Sequence, residues 1–383
     1  MDEPLYLDTA ATTPVRREVL EAMWPYLTGE FGNPSSHHPY GERAADAVLS
    51  ARGVVAQHLG CRPAEVVFTS GGTEADNLAV KGIALGGLRG RHLVTTPLEH
   101  EAVLESVDHL RRLHGVEVTL LPVDGEGLVA PDDLAQALRP DTTLVSIQHA
   151  SNEIGTVQPI RELAAVARER GVPFHTDAVQ SAGALEVGLE TLGVDALSIA
   201  GHKLGAPKGV GALAVRAGVA LEPVLHGGGQ ERGRRSGTEN VAGIVGLATA
   251  LELAAAERAH ASELAAVRDI LVDGVLARVP GAMLTGSRDR RLPGHASFCF
   301  PGTSGESVLL ELASRGIVCS SGSACAAGSD DPSPVLLALG IAPAVAQTAV
   351  RLTLPAGVSR DQVSEVVDRV VAAVSAVGGL RTA

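Results

Sequence analysis

The stretch EVVFTSGGTEADNLAVKGIAL (65–85) decides the fold class. Its first six residues, EVVFTS, centre on the β-branched and aromatic run VVFT, as a strand requires. Two glycines follow, and after them the apolar positions Ala75, Leu78, Ala79 and Ile83 recur at helical spacing. A strand that enters a helix through glycines is the repeating unit of an α/β domain. Working outward, the same signal returns: strands are predicted at 92–95, 116–121, 143–147, 172–176, 196–199 and 211–215. With 65–70 these make seven strands, separated by helical stretches such as IRELAAVARERG (160–171). The expectation is a mostly parallel sheet flanked by helices.

The flanks differ in character. TPVRREVLEAMWPYL (13–27) reads as a helix with Thr13 as N-cap and Pro14 at its first position. An Ala/Leu-rich run at 248–280 reads as one long helix bridging two domains. Beyond it come short strands in HASFCF (295–300) and GIVCS (316–320), then helices at 305–315 and 359–377. The last helix has capping-box spacing at Ser359 and Gln362 and a stripe of Val363, Val366, Val367, Val370, Val371 and Val374. That stripe is a core face. The chain thus divides into a large domain (15–250) and a smaller α+β domain (1–14 and 251–383).

Composition bounds the function. The chain has 383 residues, 45% hydrophobic and 20% charged, with a net charge of -13. Broad nucleic-acid binding needs a basic footprint, and this balance argues against it. The run ERGRRSG (231–237) is a local exception. No signal peptide opens the sequence, and no apolar run is long enough to span a bilayer. Cys61, Cys299, Cys319 and Cys325 have no CxxC spacing, which predicts reduced thiols in the cytoplasm. Neither HExxH nor paired-Cys spacing supports a metal site, and His37 with His38 does not make one. Cys61 and Cys299 sit in apolar surroundings and read as inert, and Cys319 reads as packing. Cys325 is different: in SSGSACAAG (320–328) it has only small neighbours and nothing to pack against.

Open α/β sheets carry their chemistry in loops after strand C-termini. Those loops here contain SGGTE, QHASNEIG, HTDAVQ and AGHKLGAPKG. Lys203, directly after a strand, is either a surface lysine or a desolvated Schiff-base lysine. Asp177 follows another strand as a partly buried carboxylate, costly without a cation. A protonated pyridine nitrogen is such a cation, and the GGT at 71–73, opening a helix, suits a phosphate.

Nine segments carry a resemblance: YLDTAATTP (6–14), FGNPSS (31–36), VVFTSGGTEADNLA (66–79), EHEAVL (99–104), SNEIGTVQ (151–158), HTDAVQSAG (175–183), GHKLGAPKGVGAL (201–213), HGGGQERGRRSGTEN (226–240) and SSGSACAAGSDDPS (320–333). The chain resembles the pyridoxal-phosphate-dependent cysteine desulfurases of the NifS/IscS type, in the class V aminotransferase family of fold type I. The resemblance implies conversion of L-cysteine to L-alanine, with the sulfur left as a persulfide on Cys325. It gives Lys203 the cofactor and the substrate α-proton, Asp177 the pyridine nitrogen, Gln180 the phenolic oxygen, and His100 ring stacking and proton transfer. Gly72, Thr73 and His202 would meet the phosphate, as would Thr238 from the second subunit of a homodimer. The 231–237 run would then complete the neighbouring site. Asn152 and Arg351 would hold the substrate, Arg351 by a bidentate grip on its carboxylate. Taken as single residues, His202 also reads as satisfying a loop carbonyl and Asn152 as an Asx-turn residue. A long loop at about 320–332, as in the IscS-like branch, would let Cys325 pass sulfur to an acceptor protein for iron–sulfur assembly, thiolation or related routes. Selenocysteine lyase, cysteine-sulfinate lyase and aminotransferase chemistry are the alternatives within the family.

Two positions depart from the family pattern. Ala200 stands where relatives place a phosphate-bonding Ser or Thr, which predicts cofactor retention weaker by roughly fivefold to tenfold. Ser198 alternates to the other strand face and is not expected to substitute. Pro355 stands where many relatives have Gly, with no functional reading.

Overall fold

The computed structural model describes residues 4–322 and 331–380, so Cys325 lies outside the described residues. Its strands in chain order are β1 (Leu5–Tyr6), β2 (Val66–Thr69), β3 (His92–Thr95), β4 (Glu117–Leu120), β5 (Thr142–Ser146), β6 (Phe174–Asp177), β7 (Ala196–Ala200), β8 (Gly211–Val215), β9 (Met283–Leu284), β10 (His295–Cys299), β11 (Ile317–Val318) and β12 (Ala349–Thr353). Seven of them form one sheet in the order β2-β8-β7-β6-β5-β3-β4. All neighbours are parallel except β8, which runs antiparallel to both β2 and β7. The inner strands β5 to β8 are buried along their whole length, which is why they read as near-continuous apolar runs. Because β2, β5, β6 and β7 run the same way, their C-terminal loops meet at one sheet edge.

The predicted seven strands are all present, with ends shifted by no more than two residues. Two helix expectations are corrected. The first helix spans Arg17–Thr28, with Arg16 and not Thr13 at its N-cap position. Thr13 instead bonds the His202 carbonyl through both its N–H and its hydroxyl, and the Arg16 N–H donates to Gly205. Tertiary pairing with the 202–205 loop thus overrides the local cap signal. The run expected as one helix over 248–280 is two, Val241–Glu257 and Ala261–Arg278, joined by a tight turn at Arg258–His260. The first packs with the large sheet's apolar cluster through Ile244, Leu247 and Leu251. The second packs with a separate cluster through Leu271, Val272 and Val275.

That second cluster joins distant parts of the chain: Leu7, Phe298 and Val350 lie with Val363, Val366, Val367 and Val370. Around it, β1 pairs in parallel with β11, and β12-β10-β9 form an antiparallel sheet. The final helix, Arg360–Leu380, is closed by the expected reciprocal cap: Ser359 N–H donates to Gln362 Oε1 (2.9 Å), and Gln362 N–H to Ser359 Oγ (3.2 Å). No helix among the described residues is long and apolar enough to cross a membrane.

Candidate active site

The four loops at the sheet edge enclose a cavity of about 400 Å³. Lining it are Gly72, Thr73, His100, Asn152, Asp177, Gln180, His202, Lys203 and Arg351, together with Asp76 and Ala200. Thr238 lines a different, smaller cavity beside Arg235 and Asn240.

Lys203 sits in the turn that follows β7. Its Nζ donates to the Ala10 and Ala11 carbonyls, which belong to the YLDTAATTP segment. Burial, reinforced by the Arg351 guanidinium, pushes its pKa down to about 8 against the opposing pull of Asp177 and Asp8. The neighbouring His202 bonds Thr12 Oγ1 (3.1 Å) and is pushed down to about 4 by burial and by Lys203 and Lys208. Gln180 also donates to the Ala10 carbonyl (3.0 Å), so one backbone oxygen holds two side chains of the cavity. His100 is the N-cap of the helix Glu101–His114: its Nδ1 accepts from Ala102 N–H (3.0 Å), which leaves the proton on Nε2.

Asp177 ends β6, and one of its oxygens accepts from Val179 N–H (2.8 Å). Burial raises its pKa, against that hydrogen bond and the Lys203 charge. Two further carboxylates are buried with it. Burial and Asp177 hold Asp76 well above the usual carboxylate range, and Asp76 Oδ1 has no hydrogen-bond partner among the described residues. Burial also raises Glu99 to about 8 although Thr96 Oγ1 and Gln148 N–H donate to it. Asp177 and Asp76 both line the cavity as buried carboxylates, and a cation bound beside them would stabilise their ionised forms.

The helix Gly72–Gly86 opens at the cavity with no side-chain cap. Its first residue must be glycine: a Cβ at Gly72 would lie 2.7 Å from Val179 Cγ2 and 3.2 Å from Ala200 Cβ. Its first-turn N–H groups and positive end therefore face the cavity, as an anion requires. Ser198 points away, bonding His175 Nε2 (3.0 Å) inside the sheet.

On the far wall Arg351 is almost wholly buried. Its Nη1 donates to the carbonyls of Asn152 (2.9 Å) and Gly322 (3.0 Å), and its Nη2 to Asp8 Oδ1 (2.7 Å), while the buried Nε has no partner among the described residues. The guanidinium is thus already held. The basic run is likewise engaged within the chain. Arg235 pairs with Glu74 (2.7 Å), and Glu231 is buried against Arg52 (2.6 Å). Burial pushes the Cys61 and Cys319 thiols up to about 12 and Cys299 up to about 11, which leaves all three unreactive.

Sequence reading gave no role to Asp8, Asp76 or Glu99, although each lies inside a quoted motif. It read His295 only as part of a strand. What each does depends on a partner far along the chain, such as Arg351 for Asp8, and no local pattern carries that.

The aminotransferase class-V family model matches residues 5–366, and the chain belongs to that family. Cysteine desulfurase IscS of Dictyoglomus turgidum is 47% identical, over 96% of this chain and 94% of its own. A solved NifS-like protein is 37% identical with a TM-score of 0.90, covering 97% of this chain and 99% of its own. A structure titled "SspA in complex with cysteine" is 38% identical with a TM-score of 0.80, over 91% and 98%. Within the family the chain takes its place among the cysteine desulfurases. The cofactor of this class is pyridoxal phosphate. The cavity fits it: Asp177 is a buried carboxylate at the end of β6, a glycine-opened helix with no side-chain cap faces the cavity, and Lys203, its pKa lowered to about 8, lines the same space.

Proposed function

We propose that this cavity binds pyridoxal phosphate and L-cysteine, and that the chain converts L-cysteine to L-alanine while Cys325 takes the sulfur as a persulfide. The observation that carries the reading is Lys203, partly buried, tied to two carbonyls, and held at a pKa of about 8 beside Asp177. An amine in that state is a nucleophile near neutral pH and a proton carrier afterwards. Asp177 would hold the pyridine nitrogen, Gln180 the phenolic oxygen and His100 the ring face. Gly72 and Thr73, with His202, would hold the phosphate, joined by Thr238 of a second copy in a homodimer. Bound there, the cofactor supplies an electron sink for charge developing at the substrate α-carbon.

Asn152 and Arg351 would hold the substrate. A carboxylate arriving at Arg351 would share or exchange the Asp8 and Gly322 contacts of its guanidinium. Both described flanks of the Cys325 segment are fastened beside this point. Gly322 accepts from Arg351, and Ser333 Oγ donates to the half-buried Glu153 (2.6 Å). The segment therefore leaves and returns next to the substrate clamp, which supports Cys325 as the sulfur-receiving thiol. The two apolar clusters support the division into a body at 15–250 and a smaller part formed by 1–14 and 251–383. An acceptor protein, in iron–sulfur assembly or thiolation, would take the sulfur onward in the cytoplasm, where thiols stay reduced.

The test is product analysis on four substrates: L-cysteine, L-selenocysteine, cysteine sulfinate, and an amino acid with a keto acid. L-Alanine and sulfide from L-cysteine, abolished in Cys325→Ala, is the expected result. Turnover of selenocysteine or sulfinate that survives Cys325→Ala, with none of L-cysteine, would replace the reading with a lyase.

A further inference from the structure

We propose that His295 is a positioning residue of the substrate clamp, fixing the Asn152 carbonyl on which Arg351 is hung; this rests on the reading of Asn152 and Arg351 as the pair that holds the substrate. His295 Nε2 lies 3.1 Å from the Asn152 carbonyl oxygen, and Arg351 Nη1 donates to the same oxygen at 2.9 Å. A carbonyl accepts two donors, so this one is saturated and its direction set from two sides. The register makes the arrangement inevitable. On the paired strands β10 and β12, His295 stands opposite Thr353 and Ser297 opposite Arg351, so His295 and Arg351 share a face and meet diagonally.

The ring has no freedom to do anything else. A Cβ at Gly155 would lie 2.6 Å from both Cγ and Nδ1 of the imidazole, so the ring is pressed against the Gly155 backbone, itself at φ +73°. Its partner on Nε2 is a carbonyl, so Nε2 carries the hydrogen and Nδ1 is the bare nitrogen. Nδ1 is buried and has no hydrogen-bond partner among the described residues. Protonating it would strand an N–H among the guanidiniums of Arg291 and Arg351, and burial with those charges drives the pKa well below its ordinary value. His295 is therefore a neutral, pH-independent donor. It touches neither substrate nor cofactor in this scheme and acts only through Asn152 and Arg351.

The pair H295Q and H295N separates this role from simple packing. The Gln amide nitrogen reaches the place of Nε2, whereas the Asn amide nitrogen falls near Nδ1, away from the carbonyl. In the cofactor-loaded enzyme, H295N should raise KM for L-cysteine roughly fivefold to tenfold, the loss of one hydrogen bond. kcat and the cofactor absorption spectrum should stay as in the wild type, and H295Q should restore KM to within about twofold. Binding of L-alanine, followed by the same spectrum, should weaken in parallel. Equal KM in H295N and H295Q, with R351A raising KM, would overturn the role of His295 alone. No change of KM in R351A would overturn the reading of the clamp, and this proposal with it.

Discussion

Lys203 shows how far one residue's surroundings set its chemistry. An exposed lysine titrates near 10.5, but burial and the nearby Arg351 bring this one to about 8. The sign follows directly. The folded state disfavours the ammonium, so the unfolded chain binds the extra proton between about 8 and 10.5, and stability rises with pH across that window. The neutral amine is also the form that captures an aldehyde. The rate at which cofactor-free protein takes up pyridoxal phosphate, followed by absorbance, should therefore rise with pH and level off above about 8. A rise that continues toward 10 would show an ordinary solvated amine. Three residues earlier, Ala200 faces the cavity beside Gly72, and Ser198 is spent on His175. Ala200→Ser should tighten cofactor binding by roughly fivefold to tenfold, the value of one added hydrogen bond. Equilibrium dialysis or spectral titration checks it, and an unchanged affinity would mean the phosphate is already fully satisfied.

Among the elements, the 226–240 loop is the least regular, yet it is anchored firmly. Glu231 inserts its carboxylate into the body, where Arg52 grips both oxygens (2.6 and 2.7 Å) and Phe68 N–H donates to one (3.0 Å). Glu231 and Arg232 adopt φ of +50° and +60°, the left-handed region that non-glycine residues avoid. The buried pair offsets that strain. Glu231→Ala leaves Arg52 buried without its partner and should cost about 3–5 kcal/mol in chemical denaturation. Removing the exposed Arg17–Glu21 pair should change little, since both side chains stand mostly in water. Sequence patterns caught the strands, because period and β-branching are local. They missed the start of the first helix and the break at 258–260, because contacts to remote loops decide both.

For the whole molecule, the sheet edge and most of the cavity lining were legible, because open parallel sheets put their loops on one side and the motifs fell in those loops. On the far wall the resemblance named Asn152 and Arg351, but no sequence pattern carried Asp8, His295 or the way the four are joined. Asp8, Asn152, His295 and Arg351 come from four separate segments and meet only when β10 and β12 pair and the N-terminal segment lies across them. The same closure places both flanks of the Cys325 segment beside Arg351 and Glu153. The account's central claim, that Cys325 takes sulfur from cysteine held at this clamp, is tested most directly by intact-protein and peptide mass spectrometry after one turnover of L-cysteine. A gain of one sulfur atom on the peptide containing Cys325, matched by an equal amount of L-alanine and absent from Cys325→Ala, is the predicted result. L-Alanine formed at the wild-type rate by Cys325→Ala, with no sulfur bound to the protein, would contradict it.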